Sequence, residues 1–378
     1  MDRSMDANLV TDRTPQKRRI PRKQLLVLRE LRRKIVVGEI PAGGRLPTHI
    51  ELSRQFDVSC VTVQRALDRL AHEGLLESRG RSGTFVTDRL PHLSNYGLVF
   101  PDRPSAGSGW RSRFWAALTQ EWVSLQAQGT RRMSIYFGVR PDGDPADIAK
   151  LRDDLREHRL AGLLLVVARV SLPVIRDLAG SLAVAGFGDG AGQWLPVNMQ
   201  GDRWNERAVQ WLAERGRKRI AIVNASMQSS EYIAGLIRLI EQHGMSTRAP
   251  WVQAISPTEA VWARNCTHLL MDRPKDYRPD GLLIADDNLV EHAVGGLIDA
   301  GARVPDDLDV VAHCNFPWPA PSVLPVRRLG YDIRKMVRDT LELIDARQRG
   351  EAKPDRVNAP AVFEEEATSQ VPAEADAH

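Results

Sequence analysis

Cysteine is scarce: the 378 residues hold three, Cys60, Cys266 and Cys314, odd in number and far apart. That excludes a disulfide framework and a thiolate zinc cluster, and it points to a reducing cytoplasm. No apolar run has the length of about 20 residues that a membrane span needs, so no membrane contact is expected. The first twenty residues, MDRSMDANLVTDRTPQKRRI, contain no apolar core, so a secretory signal is not expected either. The nine histidines are scattered without ligand spacing, which leaves no metal site to expect. A Walker loop, a G-x-S-x-G elbow and an H-E-x-x-H helix are all missing. The common enzyme classes thereby lose their signatures, and neither catalysis nor a cofactor is expected. Repeats of solenoid period are also missing.

What is present is ordinary in bulk and uneven in placement. Hydrophobic residues make up 43% and charged residues 26%, as in a globular protein long enough for two or three cores. Residues 1–95 carry 18 Lys/Arg against 11 Asp/Glu, a net of +7, and the remainder carries 34 against 37, a net of −3. A basic first quarter on a slightly acidic body suits a polyanionic partner, although a solvated surface reads the same way.

The pattern divides the chain. Residues 1–20 read as a disordered basic tail. Within 21–87, QLLVLRELRRKIVV has helical spacing and stops at Gly38 and Pro41. Thr48 and Glu51 form a capping box for a second, short helix, and Ser59 caps a third that ends near Gly74. LLESRGRSGTFV then reads as a hairpin. Residues 88–95 read as a linker. From 96 to 366 short apolar strands alternate with amphipathic helices, which predicts parallel sheets in two α/β lobes. The end of the chain, from Glu364 and certainly over 367–378, reads as an acidic disordered tail.

The third helix poses the functional question. On a helical wheel Val63, Ala66, Leu67 and Leu70 share a core face, while Val61, Gln64, Arg65 and Asp68 share the other, with Cys60 at its border. A helix in a DNA major groove needs such a second face, because amides and guanidiniums read base edges and an aliphatic group can lie on a thymine methyl. The alternative is an exposed helix of an ordinary three-helix domain. The brief turn Asp57-Val58 before it has helix-turn-helix spacing. At the hairpin tip Arg79 and Arg81 stand among Gly80, Ser82, Gly83 and Thr84, where glycine lets the backbone approach a phosphate.

The stretch GEIPAGGRLPTHIELSRQFDVSCVTVQRALDRLAHEGLLESRGRSGTFV resembles the winged-helix domain of GntR-family transcription regulators over residues 38–86. The shared pieces are G-x-x-x-x-G-x-R-L-P, V-S-x-x-T-V, A-L-x-x-L, E-G-L and G-T-F-V. The resemblance implies that Thr48, Ser59, Cys60, Val61, Thr62, Gln64 and Arg65, with Arg79, Arg81, Ser82, Gly83 and Thr84 of the wing, meet operator DNA. It also marks departures: Ile50, Cys60 and Gln64 stand where the family often has Arg. Guanine contacts should be lost there, and Gln64 suits adenine.

The body, over about 96–366, resembles the LacI-type effector domain, which has the two-lobed fold of periplasmic sugar-binding proteins. RAVQWLAERGRKRIAIV and DGLLIADDNLVEHAVGGLIDAGARVPDDLDVVAH carry the likeness. A GntR-type head on a LacI-type body is the AraR-like combination. By this resemblance Asp287 lines a cleft and accepts from ligand hydroxyls, with Asp286 beside it; the plainer alternative is that both cap the following helix. Tyr232 replaces a family Arg, and Asn315 ends a turn altered to Ala312-His313-Cys314-Asn315. Phe316 and Trp318 are placed to stack on a ring or to pack a lobe, as are Trp110, Arg113 and Phe114 at the first strand-to-helix loop. The expectation is a bacterial, cytoplasmic, homodimeric repressor of operator DNA, controlled by a small polar effector such as a carbohydrate. The competing expectation is a body that binds no small molecule and answers to a protein partner. A transport-type binding protein fits poorly, given the basic winged helix.

Overall fold

The computed structural model describes residues 21–368, except 37, 89, 105–111, 130 and 181 and the side chains of Arg81, Pro91, His92 and Thr368. The tails expected at 1–20 and over 369–378, and Trp110, lie outside the described residues. The chain separates into two compact units, Met1–Pro91 and His92–His378.

In the first unit, α1 (Arg22–Val36), α2 (His49–Phe56) and α3 (Cys60–His72) pack around a core that holds Leu28, Leu31, Leu52, Val63, Leu67 and Leu70. Capping fixes the ends. The Thr48 hydroxyl accepts from Glu51 N–H while the Glu51 carboxylate accepts from Thr48 N–H at 2.7 Å. The Ser59 hydroxyl accepts from Thr62 N–H at 3.2 Å. Between α2 and α3, Asp57 takes a left-handed conformation (φ 50°), which closes the turn. Arg32 and Glu73, both buried, form an ion pair at 2.5 Å that ties α1 to the end of α3. The strands β1 (Leu76–Ser78) and β2 (Thr84–Val86) pair antiparallel, Leu76 opposite Val86, around a tight turn at Gly80–Ser82. Gly80 and Gly83 have φ of 57° and 110°, which any side chain would strain.

The expected linker at 88–95 is partly regular: α4 (Pro91–Ser94) is one helical turn, and Asn95 already opens β3 (Asn95–Val99). Strand and helix then alternate through α5 (Arg113–Ala127), β4 (Arg132–Tyr136), α6 (Pro145–Arg156), β5 (Gly162–Leu165), α7 (Ala168–Ala179) and β6 (Ala183–Phe187) to β7 (Leu195–Met199). The chain next builds the second lobe from α8 (Gly201–Glu214), β8 (Ile220–Ala225), α9 (Ser230–Gln242), β9 (Val252–Ile255), α10 (Trp262–Met271), β10 (Gly281–Ile284), α11 (Asp287–Asp299), β11 (Asp309–Phe316) and β12 (Arg327–Asp332). It returns through α12 (Ile333–Gln348), which packs on α5 and the first sheet, and ends with β13 (Val357–Ala359), β14 (Val362–Phe363) and α13 (Glu364–Thr368).

The first sheet has the order β13-β7-β6-β5-β3-β4 and is parallel throughout. The second has the order β14-β12-β11-β10-β8-β9, antiparallel only at β14. β7 pairs β13 and β12 pairs β14, so the three crossings between lobes run side by side at 200, 332 and 360–361. Helices cover both sheets, and the two-lobed α/β architecture expected from the alternation is the one observed.

Two readings of the sequence need correction. The acidic end does not begin at Glu364: Glu364–Thr368 is a helix, Ala367 is buried, and Arg328, Arg327 and Arg207 pair Glu364, Glu365 and Glu366. The three adjacent glutamates looked like solvated charge, yet three arginines of the second lobe neutralise them. The strands β7, β9 and β12 were not anticipated. β9 is a short run with Gln253 in it, β12 opens on Arg327 and Arg328, and β7 contains Pro196. That proline is tolerated because pairing with β13 starts only at Val197.

Candidate DNA interface and ligand cleft

In the first unit the two faces of α3 separate as the wheel predicts. Val63, Ala66, Leu67 and Leu70 are buried; Val61 is 61% exposed, and Cys60, Gln64, Arg65 and Asp68 are exposed with it. The Gln64 amide donates to the Asp68 carboxylate at 2.7 Å, one turn along. Arg65 is exposed with no side-chain partner among the described residues. Thr62 is half-buried, its hydroxyl 2.9 Å from that of Ser59. Thr48, like Ser59, spends its hydroxyl on capping, so these two position helices before they can meet a phosphate. Ile50, also an aliphatic residue, is exposed on α2.

On the wing, Arg79 donates to Glu77 at 2.5 Å, lies 3.6 Å from Asp88, and sits over the Phe85 ring at 4.8 Å. The two carboxylates hold the guanidinium against the wing. Ser82 is exposed and Thr84 half-exposed. Arg45 was not singled out from sequence, although it is the arginine of the quoted G-x-R-L-P. It is exposed, bridges Phe85 of β2, and a side chain at Gly83 would come within 3.2 Å of its Nε. Arg45 and Arg79 therefore make one basic edge of the wing.

In the second unit, the carboxyl ends of parallel strands form the crevice where such sheets take ligands. Asp286, just beyond β10, is the N-cap of α11: its carboxylate accepts from Asn288 N–H at 2.9 Å and from the Asn288 amide at 2.7 Å. Burial, then the neighbouring Asp287 charge, raises its pKa. Asp287 is only 3% exposed and accepts from the Asn315 amide at 2.5 Å. Burial pushes its pKa up to about 6, against the Asn315 hydrogen bond and the Arg113 charge. Arg113 reaches from the first lobe: its N–H donates to Asn288 Oδ1 at 2.9 Å, and its guanidinium pairs Glu291 at 3.1 Å. Phe114 packs edge-on against Phe187, 5.2 Å between ring centres, and Trp318 is half-buried on the central core.

Tyr232 joins this group indirectly. Its hydroxyl donates to Asn205 at 2.9 Å. The Tyr331 hydroxyl is held above its usual pKa by burial and by Tyr232 and Asp202. The Tyr331 ring lies 5.5 Å from His313, which lies 6.0 Å from Trp204 on its other side. Burial drives the His313 pKa down to about 4, with Asp286 opposing, so the imidazole is neutral at pH 7. The structure thus brings together Asp286, Asp287, Asn315 and Arg113, and sets Tyr232 at the end of an aromatic row leading to Asp286.

Sequence reasoning named Asn315 but assigned no role to Asn224 or His313. Asn224, at the end of β8, is 1% exposed, and neither its amide nitrogen nor its oxygen has a partner. His313 Nδ1 and Asn315 Oδ1 are also buried without one. A polar residue closing an otherwise apolar strand, IAIVNA, was the available signal. Among the described residues no group of His, Cys, Asp or Glu could hold a metal ion, and no helix is long and apolar enough to cross a membrane.

A winged helix with a polar reading face, joined to a two-lobed sheet pair with a crevice at its strand ends, defines a DNA-binding transcription regulator rather than an enzyme. Residues 23–86 match the bacterial regulatory proteins of the gntR family, and residues 209–364 match the periplasmic binding protein-like domain. The chain thus joins a gntR-type head to a periplasmic binding protein-like body. It is 23% identical over 319 residues to an arabinose metabolism transcriptional repressor of Geobacillus stearothermophilus, covering 78% of this chain and 83% of that one. Over 69 residues of the head, 18% of this chain and 29% of the relative, it is 43% identical to a mannosyl-D-glycerate transport/metabolism system repressor of Escherichia coli. The body superposes on a regulatory protein of the LacI family from Chloroflexus aggregans with a TM-score of 0.58 at 17% identity, covering 72% of this chain and 97% of that chain. A LacI-family regulator from Lactobacillus casei with bound sucrose gives 0.54 at 17% identity, covering 71% and 97%.

Proposed function

We propose that this chain is a homodimeric, cytoplasmic repressor whose affinity for operator DNA is set by a small, neutral, hydroxyl-bearing ligand in the crevice of its second unit. The observation that carries the ligand half is the set of buried polar atoms without partners at the strand ends: both amide atoms of Asn224 and Nδ1 of His313. Buried polar groups are nearly always hydrogen-bonded, so unmade bonds in a crevice suit an occupant that supplies them. Trp204 and Tyr331 lie on either side of the His313 ring, aromatic surface of the kind a sugar or polyol site uses. The sucrose-bound neighbour supports the same chemistry.

On the DNA side, Gln64 reads an adenine, Val61 touches a thymine methyl, and Arg45, Arg65, Arg79 and Arg81 contact phosphates. Cys60, Thr62, Ser82, Gly83 and Thr84 line the same approach. Pairing of two bodies uses α10, where Trp262 and Leu269 share an exposed apolar face.

A second reading has its own support. Asp287 and Arg113, the residues expected to hold a ligand, already bond Asn315 and Glu291. A body closed on itself in this way would bind no small molecule and answer to a protein partner. Calorimetry against a panel of sugars, polyols and nucleosides separates the two. Binding that Asp287→Ala abolishes, with operator affinity intact, supports the ligand reading; silence across the panel supports the second.

A further inference from the structure

We propose a second ligand site, for a small hydroxylated organic phosphate, in the first lobe at the end opposite the crevice. A hollow of about 720 Å3 is walled by the starts of β6 and β7, the last turns of α7 and α12 and the approach to β13. In a parallel sheet these are the amino ends of the strands, whereas the crevice lies at the carboxyl ends. Three guanidiniums line the hollow: Arg176, Arg347 and Arg356. A neighbouring hollow of about 290 Å3 shares Arg176, Asp189 and Trp194 with it and adds Arg169. Arg347 and Arg169 are exposed and have no side-chain partner among the described residues.

The other two arginines are weakly held. Arg176 donates to the neutral Gln193 at 2.7 Å, and Arg356 reaches its neighbour Asp355 only at 3.3 and 3.4 Å. Exposed pairs of that kind give way readily to a better partner. Two carboxylates, Asp189 and Asp355, offset part of the positive charge, and they are the acceptors that ligand hydroxyls would need. Guanidinium is the group that matches phosphoryl oxygens in a bidentate fork.

The wall between the hollows is rigid. Trp194 is 8% exposed, and its indole N–H is buried without a hydrogen-bond partner. Its ring is held between two glycines. A side chain at Gly190 would strike it at 3.0 Å, and one at Gly186 would lie 3.1 Å from Cδ1. Leu172, Leu182 and Pro196 complete an apolar floor. Such a site takes an anion that carries an organic body, in preference to a bare inorganic ion.

The test is calorimetry of the full chain with ribose 5-phosphate, with ribose and inorganic phosphate as controls. Ribose 5-phosphate is expected to bind more tightly than either control. Arg347→Ala/Arg356→Ala should weaken it about tenfold or more, whereas Asp287→Ala, in the crevice, should not change it. Thermal melting checks that the exposed arginine substitutions leave the fold intact. Equal affinity in wild type and the arginine double variant would overturn the proposal, as would undetectable binding at millimolar concentration. If the double variant instead loses operator affinity while ribose 5-phosphate stays silent, the arginines hold DNA phosphates and the small-molecule site is refuted.

Discussion

Replacing Asp287 by Asn should stabilise the second unit, and more so at high pH. Asp287 is nearly fully buried, and its pKa is raised from 3.8 to about 6, chiefly by that burial. The Asn315 hydrogen bond, the Arg113 charge and the backbone N–H groups of Asp287 and Asn288 pull the other way and do not win. The folded protein therefore keeps this proton to higher pH than the unfolded chain. The favourable contribution is complete below 3.8 and is lost as pH rises through about 6. A shift of about 2 units corresponds to about 3 kcal/mol of stability lost between pH 4 and pH 8. Asparagine removes the buried charge but keeps the shape. Its oxygen can still accept from the Asn315 amide, and its own amide can donate to Asn315 Oδ1, now buried without a partner. The melting temperature of Asp287→Asn should exceed that of wild type by roughly 5–10 °C at pH 8, and the difference should level off at its smallest only below the unfolded pKa of 3.8. Calorimetric melts at four or five pH values would read this directly. A constant difference across the range would refute the reasoning, since the charge would then not be the cause.

Other substitutions probe the remaining parts. Gln64→Ala should relax selection at one adenine by about 1–3 kcal/mol in a random-sequence binding selection, with the rest of the motif unchanged. Arg65→Ala and Arg79→Ala should each weaken all sequences alike and lower the slope of log K against log salt by about 1, read by titration at several salt concentrations. Leu269→Asp, on the exposed face of α10, should shift the chain from dimer to monomer in sedimentation without lowering its stability by more than about 1 kcal/mol, because the side chain is more than half exposed in the protomer. Arg32→Ala should destabilise the first unit by about 3–5 kcal/mol in urea, because it leaves the buried Glu73 carboxylate without its closest partner.

The parts of the fold visible in the sequence were those set by local chemistry. Thr48-x-x-Glu51 and Ser59 start helices because they satisfy N–H groups within four residues, and both caps form. The buried face of α3 follows from a period of 3.6. What depended on distant partners was hidden. Nothing near Glu364 announces Arg328, and nothing near Asp287 announces Asn315, 28 residues away, as its hydrogen-bond donor. The reading of Asp286 as a cap was available locally and is what its carboxylate does. The row Trp204, His313 and Tyr331 is assembled from three elements, so no spacing could have revealed it. The Gln64–Asp68 hydrogen bond was legible, since residues four apart on a helix are neighbours. It implies that Gln64 exchanges one partner for another on meeting DNA.

In the proposed function, one molecule couples crevice and operator. A ligand can shift operator affinity only by its differential affinity for the operator-bound and the free protein, and linkage makes the effect reciprocal. The direct measurement is ligand affinity by calorimetry with and without saturating operator duplex, beside operator affinity with and without saturating ligand. The two ratios should be equal, each about 5- to 150-fold, corresponding to a coupling of about 1–3 kcal/mol. If the full chain binds ligand and operator and both ratios are one, the crevice does not control the DNA-binding head, and the claim is wrong.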